Sequence, residues 1–141
     1  MEAELVACVQ ATDLKARVRF LGQVQDATPY LRQLDVLALT SRHEGLPMVV
    51  LEAASCGVPV VAFDVGGVGE VVDGGAAARL IRFGDFPGFV HALENVLSND
   101  TAVRNGVLLW ATSVRSTFSL QGVVKAYLAV YRAAARPGKC K

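Results

Sequence analysis

The chain has 141 residues, 52% of them hydrophobic and 19% charged, with 14 Lys and Arg against 13 Asp and Glu. That length holds one domain around one core, not two. The balanced charge offers no field for a phosphate backbone, and only the tail with Arg136, Lys139 and Lys141 is basic, which argues against nucleic acid as a partner. No charge-free apolar stretch reaches the roughly 18 residues that cross a bilayer. The segment from Met1 to Gln10 carries two glutamates where a signal sequence is basic. The expectation is a cytoplasmic protein, free or peripheral to a membrane, with no integral membrane segment. Cys8, Cys56 and Cys140 are odd in number and far apart, so they make neither a disulfide framework nor a CxxC metal site.

In chain order, Glu4 to Ala11 is helix-like, and Val18, Phe20 and Gly22 mark a short alternating segment with the pattern of a strand. A helix is expected near Pro29 to Gln33. Asp35 to Thr40 is a short apolar run, Pro47 to Cys56 a longer one that opens with proline, and Val58 to Phe63 another apolar run rich in β-branched residues. This reads as strand, helix, strand. Such runs suit a parallel sheet covered on both faces, where alternation disappears because neither face meets water. The class is α/β, with a Rossmann-like parallel sheet flanked by helices. Downstream, Gly66 to Val72 predicts a turn and a short helix, Arg79 to Ile81 a small strand, and Pro87 to Leu97 an amphipathic helix. From Thr101 onward the chain is helical. Val123, Tyr127, Val130 and Tyr131 give the last helix an apolar stripe to bury before Pro137 and Gly138 stop it.

Chemistry concentrates in Ser41 to Val61, where a polar, glycine-containing loop follows a buried strand and runs into a buried helix. In open α/β sheets ligands collect beyond the carboxyl ends of strands, and a helix N-terminus there offers unpaired N–H groups and a positive dipole end to an anion. Pro47 suits the first helical position, which leaves Met48 and Val49 as donors to a phosphate or diphosphate. Glu52 lies inside the apolar run MVVLEAA, where an unpaired buried carboxylate would cost several kcal/mol, on the order of that for any buried charge. Two partners fit it: the adjacent hydroxyls of a ribose, or a basic side chain such as Arg42 or Arg19. Glu44, just before the helix, can accept from sugar hydroxyls or cap the helix. His43 reads as a loop residue. The second loop, Asp64 to Glu70, follows the next strand and brings its backbone to the same sheet edge. It is no dinucleotide fingerprint, since Val72 stands where a third glycine belongs. There is no Asp-x-Asp, no His-x-x-x-His and no Gly-Lys-Ser, so neither a dedicated metal site nor a P-loop is expected.

Taken together, Ser41-Arg42-His43-Glu44-Gly45 and Glu52-Ala53-Ala54-Ser55-Cys56-Gly57-Val58-Pro59-Val60-Val61 resemble the hallmark of the C-terminal domain of family 4 retaining glycosyltransferases of the GT-B fold, two glutamates separated by seven residues. Upstream, Val18-Arg19-Phe20-Leu21-Gly22 and Asp35-Val36 resemble that family's preceding strands, and Gly66-Gly67-x-x-Glu70-Val71-Val72 resembles its Gly-Gly-x-x-Glu loop. The likeness runs from about Arg17 to Asn99. It implies Glu44 against the donor sugar, in the catalytic position, and Glu52 on the ribose hydroxyls. It implies the amides of Leu46, Met48 and Val49 beside Gly45 on the phosphates, and Gly66, Gly67 and Glu70 shaping the far wall. It also implies a nucleoside diphosphate sugar as donor, an unidentified acceptor, retention of anomeric configuration, and no bound metal or other cofactor.

Two departures stand out: Gly69 replaces the family's proline before Glu70, and Ala78 its glycine before the last strand. The family's second domain opens with a strand, a glycine-rich loop, and an Arg and Lys on the diphosphate, and this chain begins after them. The expectation is therefore a single, N-terminally incomplete donor-binding domain over residues 1–141. It would lack the acceptor domain, be inactive alone, and need a missing domain or a separate acceptor subunit. An unpaired strand edge would favour self-association. The alternative is a non-catalytic nucleotide-binding or interaction module of the same ancestry. A non-hydrolysing sugar-nucleotide epimerase of related architecture fits the two-glutamate pattern less well.

Overall fold

Val60, Val61, Ala62 and Phe63 are each no more than 1% exposed. Successive strand residues point to opposite faces, so burial of all four means that both faces of this strand are covered. The structure, a computed structural model, describes residues 2–72, 75–98 and 101–135. Its elements are α1 (Glu2–Gln10), α2 (Thr28–Leu31), β1 (Leu37–Leu39), α3 (Met48–Cys56), β2 (Val60–Asp64), α4 (Val68–Val71), β3 (Ala78–Arg82), α5 (Phe86–Leu97), α6 (Thr101–Thr117) and α7 (Leu120–Ala134), with a 3-10 turn at Gly75–Ala77. The strands form one parallel sheet in the order β1-β2-β3, with Leu37 opposite Val60 and Val60 opposite Ala78. Parallel neighbours need a crossover, and α3 supplies it between β1 and β2.

Buried apolar side chains fix the helices to this sheet. Val50, Leu51, Ala53 and Ala54 form the inner face of α3, and Val103, Val107, Trp110, Ala111 and Val114 recur at helical spacing along α6, which packs on α3. Phe63 anchors the start of α5, its ring 4.8 Å from that of Phe89 and edge-on to Phe86 at 5.6 Å and Phe83 at 5.4 Å. Asp85 caps α5 by accepting from the Gly88 amide at 2.9 Å, and Ser119 caps α7 by accepting from Gly122 at 3.0 Å. The α3 helix ends in a Schellman arrangement: Gly57 has φ +78°, the Val58 amide donates to Ala53 O at 2.9 Å and the Gly57 amide to Ala54 O at 3.0 Å.

Four expectations change. Val18 to Gly22 is no strand; Val18, Phe20 and Leu21 are exposed, and Gly22 turns the chain at φ +63°. A strand exists through its hydrogen-bonded neighbour, and among the described residues β1 pairs only with β2. The sheet is covered on both faces at β2 but not at β1, where Ala38 is exposed between half-buried Leu37 and Leu39. The stripe of α7 is not buried: Val123 is 38% exposed, and Tyr127, Val130 and Tyr131 all exceed 60%. The main packing partner of α7 is α6, and no residue of α7 is buried. Helix α3 starts one residue later than expected, because Pro47 has ψ 91° and precedes the first turn. The stop at Pro137 and Gly138, the basic tail, Cys140, and the Asn99 end of the resemblance lie outside the described residues. Ala78 begins β3, buried, in register with Val60. A side chain at Gly69 would meet Asp64 Oδ1 at 3.5 Å and Leu80 Cδ1 at 3.8 Å, ordinary contacts, so packing does not require a glycine at this position.

Candidate functional site

The loops that follow β1 and β2 leave the same end of the parallel sheet and meet backbone to backbone. The Gly67 amide donates to Glu44 O at 3.2 Å. A Cβ at Gly66 would lie 1.9 Å from Glu44 O, and one at Gly67 would lie 2.0 Å from Gly45 O. No side chain fits at either position, and Gly66 also has φ +54°, a backbone state that favours glycine. The two loops expected to share a site are therefore in contact, with Glu44 half-buried at their junction.

Beside that junction α3 begins without a side-chain cap. Capping by Glu44, one of the two roles open to it, does not occur. Pro47 has no N–H, and its ring is almost fully buried. The Val50 amide bonds back to Pro47 O at 3.0 Å, while the amides of Leu46, Met48 and Val49 have no protein acceptor among the described residues. An uncapped helix end carries a partial positive charge and directed donors, the arrangement that receives an anion. Leu46 and Met48 are exposed and Val49 is half-buried, so solvent reaches this end. Glu70 is exposed in the first turn of α4, its amide bonded to Gly67 O at 3.2 Å.

Glu52 is exposed, which corrects the expectation of a buried carboxylate. Its neighbours in sequence are buried, but the 3.6-residue period turns positions 48, 52, 55 and 56 away from the core together. They form one wall of an open cleft of ≈ 520 Å³, with Thr28 and Arg32 from α2 and its C-terminal cap, and Arg115 and Phe118 from the end of α6 and the residues beyond it. Neither Arg42 nor Arg19 pairs with Glu52. Met48 and Glu52 lie four residues apart, about 6 Å along the helix axis. The site thus has two parts joined by α3: the loop junction with the open helix end, and the cleft. Glu44, Gly45, Leu46, Val49, Gly66, Gly67 and Glu70 do not line the cleft.

Sequence reading missed Thr28, Arg32, Arg115 and Phe118. Thr28 follows Asp26, whose carboxylate accepts from the Thr28 amide at 2.9 Å. Hydrogen bonds from Thr28, aided by Arg32, hold the Asp26 carboxyl below its ordinary value. Nothing local marks Arg115, whose place in the cleft depends on how α6 packs on α3. Among the described residues no three His, Cys, Asp or Glu side chains gather as a metal-binding group, and no helix is long and apolar enough to cross a membrane.

The sequence profile of the family described as glycosyl transferases group 1 matches residues 1–99. N-acetyl-alpha-D-glucosaminyl L-malate synthase of Bacillus anthracis is 30% identical over 127 residues, 90% of this chain and 33% of that protein. Sucrose-phosphate synthase from Thermosynechococcus elongatus superimposes with a TM-score of 0.82 at 25% identity, over 94% of this chain and 34% of that one. Anabaena HepE in complex with UDP and glucose gives a TM-score of 0.81 at 25% identity, over 94% of this chain and 36% of that one. The chain spans about a third of the length of the curated relatives it matches. By profile and by fold, the chain belongs to the glycosyl transferases group 1 family and has the architecture of the C-terminal domain of a GT-B glycosyltransferase.

Proposed function

We propose that this chain is the donor-binding part of a family 4 glycosyltransferase that moves a hexose-type sugar from a nucleoside diphosphate to an acceptor with retention. One observation carries the reading: the open N-terminus of α3 lies beside the Glu44 and Gly66-Gly67 junction, with Glu52 one turn further along the same helix. The amides of Leu46, Met48 and Val49 take the diphosphate, and the helix dipole stabilises the charge that develops on it as it leaves. Glu44 accepts from hydroxyls of the donor sugar, and Glu52 from both ribose hydroxyls in the cleft. Gly45, Gly66, Gly67 and Glu70 shape the wall against the sugar. The resemblance supports a reaction without a metal, and a cytoplasmic location rests on the sequence pattern alone. Acceptor binding and full turnover draw on parts of the enzyme beyond the third of its relatives' length that this chain spans, whether in one polypeptide or in a partner subunit.

The test is thermal unfolding of the chain against UDP, GDP, ADP and dTDP without metal. A ligand of the folded state alone stabilises it by about 2.7 kcal/mol at a hundredfold excess over Kd. Stabilisation by one nucleotide supports the reading and names its base; no shift with any of them in a folded chain favours a non-catalytic module. Because Glu52 is exposed and has no partner among the described residues, Glu52→Ala is expected to change stability by no more than about 0.5 kcal/mol while abolishing the nucleotide increment. An increment that survives in Glu52→Ala removes the ribose role.

A further inference from the structure

The last turn of a helix leaves carbonyl groups without intrahelical partners, and each must be accounted for. In α3 the Schellman arrangement takes up two of them, at Ala53 and Ala54. The next carbonyl, at Ser55, accepts from the guanidinium of Arg115, which reaches across from the last turn of α6. A cation at a helix C-terminus is also favoured by the dipole. Ser55 lies one turn beyond Glu52 on the same face, and Glu52, Ser55 and Arg115 all line the cleft. The guanidinium presents several N–H donors and keeps its charge at any working pH, and one of them, at Nη2, is spent on this carbonyl.

We infer that Arg115 is a positioning residue for the ribose subsite. By holding the Ser55 carbonyl it fixes the rotation of the last turn of α3, and with it the direction in which Glu52 presents its carboxylate. The inference rests on the reading that Glu52 receives a ribose. A bond that merely tied α6 to α3 would affect stability, and would weaken every nucleotide alike. A positioning role affects recognition of the two hydroxyls in particular.

The experiment compares UDP, GDP and ADP with their 2′,3′-dideoxy counterparts, using calorimetric affinities for the wild-type chain, Arg115→Met, Arg115→Lys, Arg115→Gln and Glu52→Gln, each checked for folding by circular dichroism. The wild type is expected to prefer the ribose form of the nucleotide it binds by about tenfold or more, the discrimination of a charge-assisted hydrogen bond. Arg115→Met should bring the two affinities to within about twofold, on the same scale. Arg115→Lys, which keeps a donor and a charge, should recover part of the preference. Arg115→Gln provides a donor without charge should Arg115→Met fail to fold, and it too should lower the preference. If Glu52→Gln loses the preference while folded Arg115 variants keep it or weaken both forms equally, the positioning role is wrong and the ribose reading stands. If the wild type shows no preference, both fall together.

Discussion

At the C-terminal end of α3 the carbonyls of Ala53, Ala54 and Ser55 are all taken up, by two backbone amides and one guanidinium, whereas at its N-terminal end the amides of Leu46, Met48 and Val49 meet no protein acceptor among the described residues. The contrast does not come from a lack of capping side chains in this sequence. Asp85 and Ser119 stand at the N-caps of α5 and α7, but the residue at the corresponding place in α3 is Pro47, which has nothing to cap with. The uncapped end is also the one pressed against a glycine pair that admits no side chain. One helix therefore has a closed end that fixes it in the fold and an open end whose donors face solvent. The N-cap residues of α2 and α4 also make no side-chain hydrogen bond, so what sets the start of α3 apart is its place beside the loop junction, and the energetic cost of leaving it open is small because solvent reaches it.

The comparison breaks most readily at Gly66. In Gly66→Ala the added Cβ would overlap Glu44 O and the backbone would hold an unfavourable φ of +54°. Overpacking and backbone strain together should cost about 3 kcal/mol in denaturant unfolding and remove the nucleotide increment. If Gly66→Ala matches the wild type in both, the loops are not held together as described, and the open helix end loses its second wall.

The strands β1 to β3 and the loop before α3 were legible in the sequence because local chemistry fixes them: an unbroken apolar run such as Val58 to Phe63 has few alternatives in an α/β chain, whereas the short alternation of Val18, Phe20 and Gly22 finds no strand to pair with among the described residues, and Pro47 ahead of a helical run marks where α3 starts to within one residue. Glu52 was misjudged because apolar neighbours in sequence are not neighbours in space on a helix, and the same period that buries Val50, Leu51, Ala53 and Ala54 turns position 52 outward. The ion pair with Arg42 or Arg19, the alternative to ribose hydroxyls, does not form; the arginines that do share its cleft, Arg32 and Arg115, arrive by the packing of α2 and α6, which no local pattern encodes. The stripe of α7 shows the reverse limit. Periodicity reveals which face of a helix is apolar, yet the surface that would cover it need not lie among the residues described, and Tyr127 and Val130 stay exposed.

A smaller effect sharpens the closed end. Gly57 has φ +78°, and a Cβ there would meet Val107 Cγ1 at an ordinary 3.8 Å, so Gly57→Ala carries backbone strain without a clash. The expected loss is about 1 kcal/mol by chemical denaturation, with the nucleotide increment retained, because the strain falls on the folded chain and not on the open amides. Loss of the increment at unchanged stability would mean that the two ends of α3 are not separable in this way.

The smallest effect lies at the rim of the cleft, where α2 begins. The side chain of Thr28, a residue lining the cleft, and then its amide hydrogen-bond to Asp26, and together these bonds hold the Asp26 carboxyl below its ordinary value of 3.8. A carboxyl depressed in the folded state binds its proton less readily there than in the unfolded chain, so its contribution is present above the unfolded value and is lost as pH falls through the folded one. The window is therefore acidic, below about pH 4, and the contribution is small because the group is fully solvated. An NMR titration should place the Asp26 midpoint below that of the same residue in an unfolded peptide. Asp26→Asn should keep an acceptor for the Thr28 amide while erasing the acid dependence. A midpoint at or above the peptide value would show that Asp26 does not close the start of α2, and that α3 is not the only helix beside this cleft whose first amides are left to solvent or ligand.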